Sequence, residues 1–393
     1  MHGFISIPSE LIYDLLDHPW LQRLRRISQL GLTSLVYPGA LHTRFHHVLG
    51  AMHLMQKAVE ALRGKSVQVS DHEAESLYAA ILLHDIGHGP YSHALEHSII
   101  GLHHEELSIE MMQRLNQQFG GKLETAIQIF EDKYPRKFLH SLISGQLDMD
   151  RLDYLRRDSF YTGVSEGMVG FDRILHMIDV RNDELVVEEK GIYSIEKFII
   201  ARRLMYWQVY LHKTVIAAES LLIHILRRAK HLASHGEKLF GTDTLLYFIE
   251  NTINKETFNE EALEKFCLMD DFDLLASIKV WAEHADPVLS ALCQSLVYRR
   301  LPKIELRKNA YTDIEIAERL RQLQATGIKE ADSSYFVYSG QVANSAYTSE
   351  ESGIKILMKN GNILDLADAS DQYNISALSQ PVVKYFLCYP KVR

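Results

Sequence analysis

The sequence predicts a mainly α protein with a small α/β part at its C-terminal end. Apolar residues recur at helical spacing through most of the first 300 positions, while strand-like runs cluster only beyond about residue 301. Hydrophobic residues make up 47% of the chain and charged residues 24%, with 21 Gly and 9 Pro in 393, the composition of a folded globular protein rather than a disordered or fibrous one. A chain of this length exceeds the roughly 250 to 300 residues at which one core stops growing. The expected organisation is a core over 1–240, a helical extension over 241–300 and a small α/β subdomain over 301–393.

Taken in order, Pro8-Ser9-Glu10 opens a helical pattern carried by Leu11, Ile12, Leu15 and Leu16. Past Pro19 the pattern continues through Trp20, Leu21, Leu24, Ile27 and Leu30 until Gly31 stops it. Arg23, Arg25 and Arg26 fall on its polar side and read as a solvated face. A second helix is predicted from Arg44 to Leu62. Ser70-Asp71-His72-Glu73 is a capping box that starts an apolar helix through Leu83, so His84 and Asp85 stand at its end before Gly87, Gly89 and Pro90 break it. Further helices are predicted over 105–115, 123–130, 138–142 and 150–157. A long one over 194–233 contains Tyr206, Trp207 and Tyr210, which read first as packing aromatics. Leu185-Val186-Val187 reads as a short β excursion, and 240–300 as more helices. Strands are predicted at Ile304-Glu305-Leu306, at Tyr335-Phe336-Val337-Tyr338 and over 354–358, the last turning at Asn360-Gly361 into Ile363-Leu364.

A formal net charge of −9 provides no global basic field for a nucleic-acid backbone, which argues against a nucleic-acid partner. Cys267, Cys293 and Cys388 match no ligand spacing and read as reduced, buried thiols. No run approaches the roughly 20 apolar residues needed to cross a bilayer, and Met1-His2-Gly3-Phe4 lacks the features of a leader. The expected location is the cytoplasm, with no membrane partner.

The chain's histidines crowd into positions 42 to 104, and that crowding locates the chemistry. His84-Asp85 alone is a weak signal, but its place at the end of a buried helix, before a glycine-rich break, lets both side chains turn toward one point. One more His and one more Asp would complete four protein ligands and leave positions for water on a six-coordinate ion. His47, on the Arg44–Leu62 helix, and Asp150, opening the Asp150-Arg151-Leu152-Asp153-Tyr154 helix, are the candidates. Mixed imidazole and carboxylate ligation suits Fe, Mn, Co, Ni or Zn, and Mg less well, except as a companion of a nucleotide. Singly, His42, His53 and His97 read as satisfied core or surface residues.

The runs His42-Thr43-Arg44-Phe45-His46-His47, His84-Asp85-Ile86-Gly87-His88-Gly89-Pro90-Tyr91-Ser92-His93, His103-His104-Glu105 and Asp148-Met149-Asp150-Arg151-Leu152-Asp153-Tyr154 resemble, in content and order, those of HD-domain deoxynucleoside triphosphate triphosphohydrolases. The resemblance covers about residues 2 to 230 and is near the branch whose animal member carries a SAM domain. It implies an HD phosphohydrolase core in which His47, His84, Asp85 and Asp150 are metal ligands. His88, His93 and His104, with Glu96 as acidic partner, resemble the family's catalytic group. Arg44, Arg151, Tyr154, Tyr210 and Lys213 resemble residues that contact the triphosphate, Asp158 one near the sugar, and Gln29 with Leu30 residues packed on sugar and base. Asp17, Gln22 and Arg25, with Arg299 and Lys303, resemble parts of an activating-nucleotide site at a subunit interface, and the family resemblance implies a homo-oligomer, dimer or tetramer. The chain departs from that pattern where Met177, Val186 and Glu188-Glu189 replace basic residues, and where Met1 stands before His2-Gly3 in place of an Asn-Asp-Pro run. Both departures argue against nucleotide activation.

The implied activity is hydrolysis of a deoxynucleoside triphosphate to deoxynucleoside and triphosphate. Arg44, Arg151 and Lys213 would neutralise charge on the triphosphate, and His93 or His104 would protonate the leaving 5′ oxygen. Two alternatives stand beside it: an HD phosphohydrolase acting on a cyclic nucleotide, alarmone or nucleoside monophosphate, and a non-catalytic nucleotide-binding regulator.

Overall fold

The computed structural model describes residues 1–91, 93–96, 98–345, 347, 353–371 and 380–391, with the side chain of His93 outside that set. Helices dominate, as the periodicity predicts. The helix Arg44–Gly64 lies at the centre and packs against the helices Asp71–Leu83 and Met149–Thr162. It buries Val48, Ala51, Met52, Met55, Ala58, Val59 and Leu62, spaced three or four residues apart, which places one continuous stripe in the core. The capping box at Ser70 is present: Ser70 Oγ accepts from the Glu73 amide at 3.2 Å, and the Glu73 carboxylate accepts from the Ser70 amide at 2.8 Å. Arg136 donates to both oxygens of that carboxylate, at 2.8 and 2.9 Å, and fixes this helix start to the neighbouring layer.

Three predicted elements come out differently, each because local hydrogen bonds find other partners. The pattern over residues 19–31 is not one helix: a turn at Pro19–Gln22 passes into a 3₁₀ turn at Arg23–Arg26, and Ile27 is extended. Here Arg44 donates its amide to the Ile27 carbonyl and Gln29 donates to the His42 carbonyl, so pairing with residues 42–44 replaces helical bonds. The long stretch over 194–233 is divided: Ile192–Met205 runs on into a π-helical turn at Tyr206–Tyr210, and a break at 211–212 bends the chain by 54° into Lys213–Ser234. The Tyr37 hydroxyl donates to the Gln208 carbonyl at 2.6 Å, the Tyr210 hydroxyl is held by Asp158, and His212 caps the next helix by accepting from the Thr214 amide. Such π turns recur at functional sites. Tyr335 to Val337 form a turn closed on Asp332 and Ser333 rather than a strand, and the strand starts at Tyr338.

The β structure is minor. Glu184–Glu188 pairs antiparallel with Ile178–Arg181 and parallel with Lys355–Leu357, which in turn pairs with Ile363–Asp365. A three-stranded sheet places Val382–Tyr389 between Lys303–Arg307 and Tyr338–Asn344. Its Phe386 and Cys388 pack on Ile216 and Ala217 of the Lys213–Ser234 helix. Strand pairing therefore crosses residue 301 and ties the C-terminal segment to the helical core. Cys267, Cys293 and Cys388 are free and buried. Among the described residues no single helix is long and apolar enough to cross a membrane.

His224, stacked on Tyr338 at 4.0 Å, tests this junction. Burial and the nearby Arg227 hold its pKa down to about 4, against 6.5 when unfolded. Between those values the unfolded chain binds the extra proton, so the stability present above pH 6.5 is lost as pH falls toward 4. The variant His224→Phe is expected to lose less stability than the parent between pH 7 and 4, measured as urea midpoints across that range.

Candidate active site

Three helices deliver the four expected ligands to one corner. His47 sits in the first turn of Arg44–Gly64, His84 and Asp85 follow Asp71–Leu83, and Asp150 lies in the first turn of Met149–Thr162. His47 Nε2 is 3.4 Å from His84 Nε2 and 3.0 Å from Asp150 Oδ1, and His84 Nε2 is 3.4 Å from that same oxygen. Asp85 completes the group with Oδ1 3.4 Å from His84 Nε2 and Oδ2 3.9 Å from His47 Nε2. The outer ring nitrogens are already committed: His47 Nδ1 donates to Asp153 Oδ2 at 2.9 Å and His84 Nδ1 donates to the Ile81 carbonyl at 2.7 Å. Those partners only accept, so each Nδ1 carries a proton and each Nε2 faces the shared corner, where a metal that displaces any proton there meets the lone pair it requires of its histidines. The donor set fits a divalent cation.

The electrostatics follow from crowding two carboxylates out of water. Burial opposes charge on Asp150, yet even without a cation the His47 and His84 rings against it hold its pKa well below the usual carboxylate range. Burial likewise opposes charge on Asp85, and His84, Arg44 and His88 overcome it. Burial disfavours protonation of His47, but Asp150 and Asp153 outweigh that and lift its pKa to about 10. The corner attracts positive charge.

Asp153 is a hub that the sequence reading passed over. Besides His47 it accepts from His2 Nε2 at 2.8 Å and from Arg157 Nε and Nη2 at 2.7 and 2.9 Å. The signal was its position three residues after Asp150, which puts both carboxylates on one helix face. Gly50 makes room for it: a Cβ there would lie 2.0 Å from Asp153 Oδ1 and 2.1 Å from Arg157 Nη2.

Arg23 corrects the expectation of a solvated arginine face. It is fully buried, and its Nη2 donates to the Ile86 and His88 carbonyls at 2.7 and 3.0 Å while Nη1 donates to the Met269 and Phe266 carbonyls at 3.0 and 3.4 Å. The loop that follows His84-Asp85 is thus held by a charge on its backbone, and burial lowers the Arg23 pKa to about 10. Only Arg25 and Arg26 are exposed, Arg25 lying 3.7 Å over the Phe45 ring and Arg26 pairing with Asp270.

Beside the ligands a second group forms: His88 and His104 stack with centroids 3.9 Å apart, His104 Nδ1 is 3.0 Å from Glu96 Oε1, and His88 Nε2 is 3.3 Å from Asp85 Oδ1. Burial and Arg44 hold the His88 pKa down at about 3 in spite of Asp85. The side chain of His93, expected with them, lies outside the described residues.

A cavity of about 450 Å³ opens over both groups. Gln29, Leu30, Arg44, Arg151, Tyr154, Asp158 and Tyr210 all line it, as do His88, His104, Asp85 and Asp150. Arg44 Nη1 is 2.5 Å from Asp85 Oδ2, and Arg151 pairs with Asp148, the cap of its helix. Asp158 accepts from the Tyr210 hydroxyl at 2.8 Å and bonds His42 Nε2 at 2.7 Å. Tyr91, Tyr206 and Glu219 also line the cavity, unanticipated because they join it only through tertiary packing. Lys213 is exposed at the start of its helix and is not among the lining residues.

Of the five residues expected at an activator site, Gln22 and Arg25 meet, Arg25 Nε donating to Gln22 Oε1 at 2.7 Å, with Asp17 exposed one turn earlier. Arg299 donates to the Leu35 carbonyl at 2.8 Å, and Lys303 lies 5.4 Å over the Tyr389 ring. Among the described residues no hydrogen bond or ion pair joins these two to the first three.

Comparison with known proteins agrees with this geometry. Residues 44–158 match the HD domain and residues 169–243 match the HD associated region. The chain superimposes on the crystal structure of a phosphohydrolase from Bacteroides thetaiotaomicron with a TM-score of 0.96 at 52% identity, over 99% of this chain and 98% of that one. It is 34% identical to the Bacillus subtilis protein YwfO over 94% of this chain and 86% of the relative. It is also 28% identical to the deoxynucleoside triphosphate triphosphohydrolase SAMHD1 homolog of Dictyostelium discoideum, over 67% of this chain and 55% of that protein. The chain is an enzyme of the HD-domain phosphohydrolase family.

Two substitutions probe the site. Asp153→Asn removes the charge and one of the two acceptor oxygens shared by His2, His47 and Arg157, and is expected to weaken divalent-metal affinity about 10- to 100-fold, read by competitive metal titration. Arg23→Ala strands four backbone carbonyls and is expected to cost about 3 kcal/mol or more of stability, read from chemical denaturation.

Proposed function

We propose that this enzyme hydrolyses deoxynucleoside triphosphates to deoxynucleoside and triphosphate. One observation carries the reading: a single cavity of about 450 Å³ joins the His47, His84, Asp85 and Asp150 corner to two arginines and two tyrosines suited to a polyphosphate. The likeness to a triphosphohydrolase from Dictyostelium discoideum supports it. A divalent transition metal held by those four residues supplies Lewis-acid polarisation of a phosphoryl oxygen and lowers the pKa of water.

The chain's own groups do the rest. Arg44 and Arg151 meet the charge of the triphosphate, each already aligned by a carboxylate, Asp85 or Asp148. Tyr154 and Tyr210 keep their protons, because burial raises both pKa values well above that of a free phenol, so their hydroxyls serve as neutral hydrogen-bond groups. Asp158, fixed by Tyr210 and His42, faces the sugar. Gln29 and Leu30 pack the base. His104, oriented by Glu96, holds the proton destined for the leaving 5′ oxygen, with His93 as the other candidate donor. Lys213 joins the triphosphate contacts only if substrate draws it inward from its exposed position. Assembly into a homo-oligomer belongs to the same reading, as does a cytoplasmic location; Asp17, Gln22 and Arg25 would join Arg299 and Lys303 around an activating nucleotide only across a subunit interface, against the two departures in sequence.

Incubation of Mn-, Fe- and Co-loaded protein with each dNTP, with and without added GTP, is expected to release inorganic triphosphate. Asp85→Ala is expected to lose turnover by about 10³-fold or more while remaining folded by circular dichroism. Release of pyrophosphate or orthophosphate instead, or turnover of only cyclic or monophosphate substrates, would refute the reading.

A further inference from the structure

A cavity larger than the catalytic one opens elsewhere in the described structure. About 720 Å³ in volume, it opens between the end of helix Pro287–Val297, the helix Asp313–Gln324 and the Val382–Tyr389 strand. Apart from Leu221, every lining residue lies beyond residue 243, outside both family matches, and of Asp17, Gln22, Arg25, Arg299 and Lys303, Arg299 alone contributes.

Its lining has a definite chemistry. Arg299, Arg300, Arg319 and Lys391 supply four cations, and no carboxylate is among the lining residues. Among the described residues the one ion pair made by these four cations is Arg319 Nη2 with Glu305 Oε1 at 3.4 Å, and Lys303 shares that carboxylate. In a chain of net charge −9, such a concentration around one concavity costs self-repulsion that an anion would relieve. Tyr335, Phe336 and Tyr389 provide flat apolar wall, with Arg319 already 4.2 Å over the Tyr389 ring. Tyr338 sits deeper, its hydroxyl buried with no oxygen or nitrogen partner and only the Cys388 thiol beside it.

We infer that this cavity is a binding site for an organic anion that carries a flat ring and a phosphate-like charged group, separate from the catalytic cavity. The volume lies within the range of small-ligand pockets and accommodates a molecule of nucleotide size. The lining cations Arg299, Arg300, Arg319 and Lys391 take the charged group, and the aromatic walls take the ring. The inference stands on the lining alone and does not rest on the proposed hydrolysis.

Equilibrium dialysis with adenosine 5′-monophosphate, inorganic triphosphate and adenosine tests it, using the full chain and the variants Arg319→Glu, Lys391→Glu and Arg44→Ala. The nucleotide is expected to bind more tightly than either fragment, to weaken about tenfold or more in Arg319→Glu and Lys391→Glu, and to persist in Arg44→Ala. Lys391 is exposed near the end of the chain, so its variant keeps the test clean if Arg319→Glu disturbs the fold. Binding abolished by Arg44→Ala but untouched by both reversals would assign the ligand to the catalytic cavity and overturn the inference. No binding of either anion, or equal binding of triphosphate and nucleotide, would overturn it too.

Discussion

Two carboxylates and two imidazoles, brought from three helices into one buried corner, set the terms for everything around them. Ionised acids out of water carry a large desolvation penalty unless positive charge meets them. His47 and His84 meet Asp150, Arg44 meets Asp85, and the remaining attraction is what a divalent cation satisfies. The surrounding polar network, with Asp153 between His2, His47 and Arg157, keeps the imidazoles in the one tautomer that points both lone pairs inward.

The scaffold bears the cost of this arrangement in backbone geometry. Gly50 is there because Asp153 and Arg157 occupy the space of a side chain, and Gly87 because a Cβ would come within 2.3 Å of the His104 carbonyl. The loop after His84-Asp85 has no helix to satisfy its carbonyls, and Arg23, more than sixty residues earlier in the chain, takes on that task. The π turn at Tyr206–Tyr210 belongs to the same set, since it directs Tyr210 to Asp158 at the cavity wall.

The C-terminal segment is joined to this core through two sheets, one extending the Glu184–Glu188 hairpin and one lying on the Lys213–Ser234 helix. That helix carries Glu219 toward the catalytic cavity and Leu221 toward the larger one. Two cavities of different character thus share one wall, the first rich in metal-type ligands and the second in cations and aromatic rings.

Much of this was legible in the sequence. Period-3.6 apolar spacing gave the central helices and the Ser70 capping box gave the start of Asp71–Leu83, because each depends on residues close in the chain; the His and Asp runs offered His47, His84, Asp85 and Asp150, which the fold brings to one corner. What remained hidden depended on distant partners. Arg23 looks like a surface arginine until residues 86, 88, 266 and 269 surround it. The break at Tyr206 is invisible to periodicity because Tyr37 and Asp158, far away in sequence, create it. Local pattern decides which segments are helical and which residue types they offer. Only packing decides which buried charges face one another, since that depends on the long-range distances over which Coulomb and desolvation energies act.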